Sequence, residues 1–400
     1  MNKKQEIKNR IDLINKGEVP EGYKKCFGYI VPNDWDIVPI KKVVTQVHRS
    51  VDKPNEPYYR LSVRSHAKGT FHSFVEDPET VAMDELFEVK ENDLVINITF
   101  AWEHAIAIVK KEDDGLLVSH RFPTYEFNNN VCVKFYENII KFPRIKKMLG
   151  DMSPGGAGRN RVLNQTDFYN KLYVPYTSRK EQEKIAEILS CCDKVIELKE
   201  KIIEEKIKEK KHIRFNLLSL SKLKYRPEKL GDITTIQTGN SNTQDKIDTG
   251  EYPFYVRSKI IERSNKYTYD GEAILIPGDG EIGKIFHYIN GKFDYHQRVY
   301  KISNFQIALG KYVYYYLSEF FEKHALKYTA KATVDSLRLP MLTNFVINIP
   351  EQSVQQKIIN IMDSIENQIQ IFEQELEQYK QLKKSLSQLL LTGIVRVNEV

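Results

Sequence analysis

The sequence carries one segment twice, and this internal repeat constrains the fold more than any other feature. The stretches that follow Pro175 and Pro350 share an apolar pattern with an offset of 173 residues. The matched pairs are Lys184 and Lys357, Ile185 and Ile358, Ile188 and Ile361, Ile196 and Ile369, and Ile203 and Leu376. Because the offset is close to half of the 400 residues, the repeat predicts one fold unit that is used twice.

The second copy of the repeat predicts a long amphipathic helix. Its apolar residues recur in alternating steps of four and three, at Ile358, Met362, Ile365, Ile369, Phe372, Leu376 and Tyr379. A mean step of 3.5 residues forms the a/d seam of a coiled coil. Gly393 is well placed to end this helix, since glycine is the residue that most often follows a helix C-terminus.

The first copy predicts another long helix with a weaker apolar seam. The seam consists of Ile185, Leu189, Cys192, Ile196 and Ile203. Lys199 interrupts it, and Glu and Lys then alternate up to Lys211, as on an exposed helix with many ion pairs. Each helix spans roughly 40 residues, or ~60 Å. The two seams pack most simply on each other within one chain, and a coiled coil between two chains is the alternative.

Each long helix follows a block with a β-rich composition, so the predicted fold class is α+β. Aromatic and β-branched residues predominate there, and segments such as VKENDLVINITF (89–100) and EAILIP (272–277) are typical of strands. The dipeptide Asn290-Gly291 is a hairpin-turn signal. Helical stretches are expected at 139–149 and 312–324. The two blocks share much less sequence than the two helices, which indicates a common scaffold with two different sets of loops.

Composition describes an ordinary soluble globular protein. Apolar residues make up 41% and charged residues 28% of the chain, and the formal net charge is +6, which permits nucleic acid as a partner without requiring it. No apolar run has the length of a membrane helix, and the basic N-terminus lacks the apolar core of a secretory signal. The four cysteines form no CxxC pair, so we expect neither a zinc site nor disulfides, and a cytoplasmic location.

The sequence offers no convincing catalytic or metal site. Residues 278–283 read GDGEIG, but a strand-like segment follows where a dinucleotide site needs a helix, so we interpret them as a β-turn. Asp279, Glu281 and Lys284 resemble a nuclease triad only in composition, since they lie within one turn. Arg121 and Arg298 fall in strand-like segments and are interpreted as structural.

The candidate DNA-binding residues are basic and polar side chains in loop-like segments of both blocks. The segment SPGGAGRNR (153–161) is the strongest of them, because Arg can pair with guanine or phosphate and Asn with adenine. A flexible basic loop without contacts is the alternative interpretation. The complete set is Arg60, Arg64, His66, Lys68, Arg159, Asn160, Arg161, Arg257, Ser258, Lys259, Arg263, Lys331 and Thr333.

These features together resemble the specificity subunits of type I restriction–modification systems. The matching segments are Pro32–Trp35 (PNDW), Leu172–Leu189, Lys331–Ile358 and Leu382–Val397. The resemblance covers the chain from about residue 20 onward, and its two-fold order is more specific than any single motif. The second block departs from the pattern, because it opens with YRPEKLGDI, without the tryptophan of the first, and lacks the glycine–arginine loop.

The resemblance implies two target recognition domains separated by two long helices, which form an intramolecular antiparallel coiled coil with pseudo-two-fold symmetry. It implies recognition of double-stranded DNA with a bipartite target, two methyltransferase subunits that bind S-adenosylmethionine, and restriction/translocase subunits. No cofactor or catalysis is expected in this chain, and no membrane association. The implied segments are an N-terminal helical segment 1–20, target recognition domain 1 at 21–175, helix 1 at 176–222, target recognition domain 2 at 223–350, and helix 2 with the C-terminal tail at 351–400.

Two other functions are compatible with parts of the pattern. A coiled-coil adaptor would join proteins through two β-rich heads, and it would show no salt-dependent DNA binding in complex with a methyltransferase. A single-chain methyltransferase or nuclease would be active when purified alone, but the sequence offers no site for either reaction.

Overall fold

The computed structural model describes residues 3–156, 160–219, 224–329 and 336–397. The chain divides into two compact units. The first unit comprises Met1–Leu198 with Glu377–Val400, and the second unit comprises Lys199–Leu376.

Among the described residues, the first unit contains four complete helices, one end of each of the two long helices, and thirteen strands. The helices are α1 (Lys3–Asn15), α2 (Val133–Ile139), α3 (Pro143–Asp151), α4 (Gln165–Lys171) and the start of α5 (Arg179–Leu218). The strands are β1 (Tyr23–Cys26), β2 (Tyr29–Pro32), β3 (Asp36–Pro39), β4 (Val44–Val47), β5 (Ser50–Asp52), β6 (Tyr58–Val63), β7 (Thr70–Val75), β8 (Glu85–Glu88), β9 (Leu94–Ile96), β10 (Ile106–Ile108), β11 (Leu117–Val118), β12 (Thr124–Phe127) and β13 (Tyr173–Tyr176).

Two sheets build the body of the first unit. A four-stranded sheet has the order β10-β9-β12-β4, and a five-stranded sheet has the order β5-β8-β11-β6-β7. The main core includes the fully buried Trp35, Tyr125 and Tyr136, and a smaller core forms around Leu61 and Val63 of β6. Strand β6 therefore has one side in a core while its hairpin with β7 extends to the edge of the sheet.

The second unit contains a six-stranded sheet with the order β15-β20-β18-β19-β16-β17. Its elements are β14 (Tyr225–Lys229), α6 (Leu230–Ile233), β15 (Thr235–Thr238), β16 (Tyr252–Tyr255), β17 (Ile261–Ser264), β18 (Tyr269–Pro277), β19 (His287–Tyr295), β20 (Val299–Ser303), α7 (Gly310–Thr329), α8 (Leu339–Thr343), β21 (Val346–Pro350) and α9 (Gln352–Leu391), whose last residues belong to the first unit. Helix α7 packs on one face of the sheet, where Tyr312, Tyr315 and Phe321 are buried.

The internal repeat of the sequence is a repeat of structure. Helices α5 and α9 are both 40 residues long, and their first and last residues are offset by 173. Each follows a strand, β13 or β21, that pairs antiparallel with the first part of its own domain, through β3 or β14. The same strand-to-helix junction is thus built twice.

A buried glutamine fixes each of these junctions. The Gln182 side chain donates to the Thr177 carbonyl and accepts from the Cys132 N–H, at 2.8 and 2.9 Å. The Gln355 side chain likewise donates to the Pro350 carbonyl at 2.9 Å and accepts from a main-chain N–H, that of Leu309, at 2.8 Å. Each glutamine therefore satisfies two main-chain groups where a domain meets its long helix.

The two long helices run antiparallel, as predicted. In the second unit, Lys199 pairs with Glu375, and Lys210 pairs with Glu366 at 2.7 Å, so the partner number falls as the α5 number rises. In the first unit, Asp193 pairs with Lys383. Lys199 does not break the contact as its place in the seam suggests, because its ammonium also lies 5.4 Å from the centre of the Phe372 ring. The intramolecular pair is confirmed.

The C-terminal segment is bound to the start of the first domain. Arg396 donates to both carboxylate oxygens of Asp34, at 2.9 and 2.8 Å, and to Glu181 at 2.7 Å. Glu181 also accepts from the indole N–H of Trp35 at 3.0 Å. Gly393 has a φ of 68° and ends α9, and a Cβ there would lie 2.6 Å from Pro32, so this turn requires glycine.

Some local predictions are wrong. Asn290-Gly291 is not a hairpin turn but lies inside β19, where Gly291 pairs with Gly271 of β18. The turn between these strands is instead the GDGEIG loop and the residues after it. Arg298 lies in the turn before β20, and Arg121 in the turn before β12, so neither is in a strand. The helix expected at 139–149 is split into α2 and α3, since Pro143 starts a new helix.

Candidate nucleic-acid interface

The β6–β7 connection holds three of the candidate residues in one loop. Arg64, His66 and Lys68 are all exposed there. His66 and Ala67 have φ values of 63° and 50°, in the left-handed region that residues with a Cβ rarely occupy. Such backbone persists only where the surroundings enforce it, and it is common at functional sites.

The segment Ile98–His104 enforces this loop conformation. The main-chain N–H of His66 donates to the Glu103 carbonyl, and that of Ala67 to the His104 carbonyl, each at 2.8 Å. The Ser65 hydroxyl donates to the Glu103 carboxylate at 2.6 Å. His104 is itself buried, its ring nitrogen lies 2.6 Å from the Ile140 carbonyl, and burial lowers the pKa of its imidazole. A neutral imidazole N–H donating to that carbonyl fits this environment.

The same segment orders the arginine loop that precedes α4. Arg161 lies over the Trp102 ring, with its guanidinium carbon 5.2 Å from the ring centre. Its guanidinium donates to the main-chain carbonyls of Ser153 and Gly150, at 2.9 and 2.7 Å. Asn160 is exposed beside it. Residues 102–104 thus contact both the β6–β7 loop and Arg161, the neighbour of Asn160, and Arg161 itself is engaged in holding its own loop.

The remaining first-domain candidates differ in position. Arg60 lies within β6, half-buried, and its Nε atom has no hydrogen-bond partner among the described residues. Leu61 and Val63 of the same strand are buried, so Arg60 lies on the opposite face of β6 from this core, because successive side chains of a strand point to opposite sides. Arg159 lies outside the described residues.

In the second unit, one carboxylate organises an arginine pair. Arg257, in the loop between β16 and β17, and Arg298, before β20, each donate to the same oxygen of Asp279, at 3.1 Å. Burial tends to raise the pKa of Asp279, but the hydrogen bonds and charges of the two arginines hold it below its usual range. One carboxylate against two guanidinium groups leaves this cluster with a positive charge and with N–H donors that have no partner among the described residues.

A neighbouring histidine, His296, contacts the main chain of one arginine of this pair. His296 is buried, and its Nδ1 accepts from the main-chain N–H of Arg298 at 3.0 Å. Burial, followed by the charges of Arg257 and Arg298, lowers the pKa of His296 despite the opposing charge of Asp279. A neutral imidazole with a fixed acceptor nitrogen thus positions the Arg298 main chain.

The other second-domain candidates are distributed around this cluster. Ser258 bonds within its own turn to Ile260, and Lys259 is exposed, 3.8 Å from Glu281. The Arg263 guanidinium donates to the carbonyls of Gly250 and Glu251, so it holds a turn outside the cluster. Lys331 and Thr333 lie outside the described residues.

The described residues contain no arrangement that suits catalysis by the GDGEIG loop. Asp279 is taken by two arginines, Glu281 lies near Lys259, and Lys284 lies near Glu322 at 3.8 Å. In these ranges of the chain, no group of three His, Cys, Asp or Glu side chains is arranged to hold a metal ion. No helix of the described part is long and apolar enough to cross a membrane.

Sequence reasoning did not connect several residues that the fold brings together. Asp279 and Arg298 are neighbours because β18 ends at Pro277, β20 begins at Val299, and Pro277 and Val299 are paired. An antiparallel pairing of these two strands would have placed Asp279 beside Arg298. Nothing in the sequence marks Trp102 and Glu103 as functional residues, because their contacts depend on loops that are distant in sequence.

Comparison with known proteins assigns the family. The sequence matches the type I restriction modification DNA specificity domain twice, over residues 34–209 and 223–381. The chain therefore belongs to the family of type I restriction–modification DNA specificity proteins. It is 26% identical to the "type I restriction enzyme MjaVIII specificity subunit" of Methanocaldococcus jannaschii, over 95% of this chain and 97% of that protein.

Other relatives agree with this assignment. A 27% identity to the "type I restriction enzyme EcoDI specificity subunit" of Escherichia coli covers 41% of this chain and 36% of that protein. The fold resembles the crystal structure of the type I restriction–modification S subunit from M. genitalium, with a TM-score of 0.58 and 14% identity over 92% and 97% of the two chains. The predicted α+β class with two repeated domains is confirmed.

Proposed function

We propose that this chain reads a bipartite, asymmetric sequence in double-stranded DNA and carries no catalytic site of its own. One observation carries the proposal: two different sets of charged loops stand on the same strand-to-helix junction, which is built twice. Family membership supports DNA as the ligand. Two unlike loop sets on a common frame suit two unlike half-sites.

In this proposal each domain contacts its half-site through the loops described above. The first domain uses Arg64, His66, Lys68 and Asn160, and Arg161 positions its loop. The second domain uses Arg257 and Arg298, whose orientation is set by Asp279. Arginine forms bidentate hydrogen bonds with guanine O6 and N7, or with phosphate oxygens, so both base reading and backbone contact are within the chemistry of these residues.

The long helices serve as the frame that holds the two half-sites at a fixed separation. We further propose that two methyltransferase subunits assemble on this chain, that they bind S-adenosylmethionine and modify the target adenines, and that restriction/translocase subunits join them. An extruded base in a methyltransferase pocket is the general solution to chemistry on a base in a duplex. The present chain supplies the sequence selection.

Salt titration of DNA binding tests the proposal. The complex of this chain with the methyltransferase of its system should bind its target DNA with an affinity that falls steeply with salt, about a thousandfold or more between 50 and 200 mM for six or more phosphate contacts. The methyltransferase without this chain is the control. If the complete complex binds no DNA at low salt, the proposed function is wrong, and an adaptor role becomes the better explanation.

A further inference from the structure

A lysine lies buried in the sheet of the second unit, away from the arginine cluster. Lys301 is in β20, between Gln237 of β15 and Leu275 of β18, and only 4% of its surface is exposed. Its ammonium nitrogen lies 3.5 Å from the centre of the Tyr269 ring and 5.8 Å from that of Tyr295. The charge therefore rests on aromatic faces.

No anion among the described residues balances this charge. In the ranges that the structure describes, no carboxylate lies within ion-pair distance of Lys301, and its ammonium makes no hydrogen bond; the tyrosine rings are the only partners found there. Burial lowers the pKa of Lys301. A buried ammonium without hydrogen-bond acceptors is costly, so a leucine or methionine at this position would serve the fold at least as well.

The ammonium reaches a cleft that is large enough for a ligand. The cleft has a volume of about 800 Å³, and Lys301 and Tyr295 form its buried part. Its exposed rim carries hydrogen-bonding side chains, namely those of Gln237, Thr238 and Asn240. One buried ammonium with neutral hydrogen-bond donors at the rim of the cleft suits a ligand group that has a concentrated negative charge and several acceptor oxygens.

We propose that this cleft binds a phosphate group, with Lys301 as its charged donor and the rim side chains as neutral donors. The lysine ammonium is a compact point charge with three N–H donors, which suits phosphate oxygens. The proposed function supplies the DNA backbone as the source of this phosphate, and in this respect the inference rests on that function. Free phosphate ions are the other source with the same chemistry.

Substitution of Lys301 tests the DNA backbone as the source. In the complex with its methyltransferase, Lys301→Met should weaken binding to all DNA sequences alike and make the salt dependence shallower by one phosphate contact, about 0.9 in the slope of log affinity against log salt. The advantage of the wild type over the variant should then shrink about 3.5-fold between 50 and 200 mM salt. Lys301→Arg should keep most of the wild-type slope.

An exposed lysine of the same unit provides the matched control. Lys229 lies in β14, outside the sheet that carries the cleft. Lys229→Met removes the same charge and should leave the slope unchanged. An equal change in both variants would show a general effect of net charge and would overturn the proposal, as would an unchanged slope in Lys301→Met together with a negative result in the phosphate experiment below.

Inorganic phosphate distinguishes the free ion from the backbone. Without DNA and at matched ionic strength, phosphate should raise the melting temperature of the wild-type complex if the cleft takes free ions, and it should not do so for Lys301→Met. If phosphate stabilises the wild type but not Lys301→Met, and the salt slope of DNA binding is unchanged in Lys301→Met, the cleft binds free phosphate. Failure of the wild-type complex to bind DNA refutes the proposed function, whereas the phosphate experiment still reports on the cleft.

The melting temperature of Lys301→Met distinguishes a role of Lys301 in binding from a role in folding. Since methionine is close to lysine in size and uncharged, Lys301→Met should melt at the wild-type temperature or above it. A lower melting temperature with a parallel loss of DNA binding would make Lys301 a structural residue and would contradict the proposal.

Discussion

Four arginines of the candidate interface fall into two groups according to what their guanidinium donors contact. Arg161 and Arg263 donate to main-chain carbonyls of neighbouring turns, so they hold loops in place. Arg257 and Arg298 share one oxygen of Asp279, and in the part of the chain that the structure describes their other donors have no partner. Because a guanidinium has five N–H donors in a planar fork, a carboxylate on one side can orient the remaining donors toward a base or a phosphate.

Substitution of Arg298 by lysine tests the role of this pair. Lysine keeps the charge but lacks the planar fork with which a guanidinium can bond Asp279 on one side and a base on the other. Arg298→Lys should therefore cost about 1–3 kcal/mol of discrimination between correct and incorrect bases in one half-site. Competition binding with DNA variants altered in one half-site at a time measures this loss. Asp279→Asn should act in the same direction, since it leaves both arginines less well oriented.

The control is a conservative change at an arginine outside the cluster. Arg226 is exposed in β14 and pairs with Glu228, so Arg226→Lys should leave the discrimination unchanged. If Arg298→Lys weakens binding to all sequences by the same factor, Arg298 contacts the DNA backbone and does not read a base.

At the scale of elements, the strand-to-helix junction is the most faithfully repeated feature. A buried glutamine with two main-chain partners occurs at the start of both long helices. Since these helices carry the domains, the junction fixes the direction in which each domain leaves its helix. The glutamines therefore act on geometry as well as on stability.

Replacement of Gln355 by leucine should destabilise the second unit. It leaves the Leu309 N–H and the Pro350 carbonyl without their side-chain partner, at about 1–3 kcal/mol for each group, or about 2–6 kcal/mol in total. Urea unfolding followed by circular dichroism measures this change. Gln356→Leu is the matched control: Gln356 is exposed and bonds only to Asn360, so its effect should stay within about 0.5 kcal/mol. Equal effects of the two substitutions would contradict the role of the junction.

Prediction from sequence succeeded where the signal is local and periodic. The seam from Ile358 to Tyr379 repeats often enough to identify α9, and the 173-residue offset then identifies α5. Prediction failed where the pairing of strands overrides the conformational preference of a short segment. Asn290-Gly291 prefers a turn, but it lies opposite Gly271 in a long strand pair that continues on both sides. The Asp279 cluster joins residues from separate loops, so only the strand pairing could reveal it.

A matched deletion tests whether the helices set the separation of the half-sites. Removal of residues 197–203 from α5 and 372–378 from α9 takes out one heptad from each, including both partners of the Lys199–Glu375 pair. Seven residues correspond to about 10.5 Å of helix, or roughly three base pairs of DNA. The unread gap of the target should shorten by that amount, as determined by selection of bound sequences from a random pool.

Deletion of the heptad from α5 alone is the control. It makes α5 one heptad shorter than α9, so the Asp193–Lys383 and Lys210–Glu366 pairs cannot both form, and the variant should lose assembly with the methyltransferase. An unchanged gap after the matched deletion would show that the helices do not determine the spacing.

At the scale of the whole molecule, the parts that the two copies share and the parts in which they differ have separate roles. The two copies agree in the long helices and their junctions, and they differ in the loops, with residues 64–69, Asn160 and Arg161 in one domain and the Asp279 cluster in the other. Family membership places both copies in one type of domain. The shared part is thus the frame, and the divergent part is where we expect sequence selection.

Mapping of methylated adenines tests this account most directly. Cells that carry this chain with its methyltransferase should show methylation within one split motif, made of two unlike halves and a fixed gap of unspecified base pairs. Replacement of residues 21–175 by the corresponding domain of a relative should change one half and preserve the other half and the gap. A continuous motif, or a domain replacement that alters both halves at once, would contradict the account.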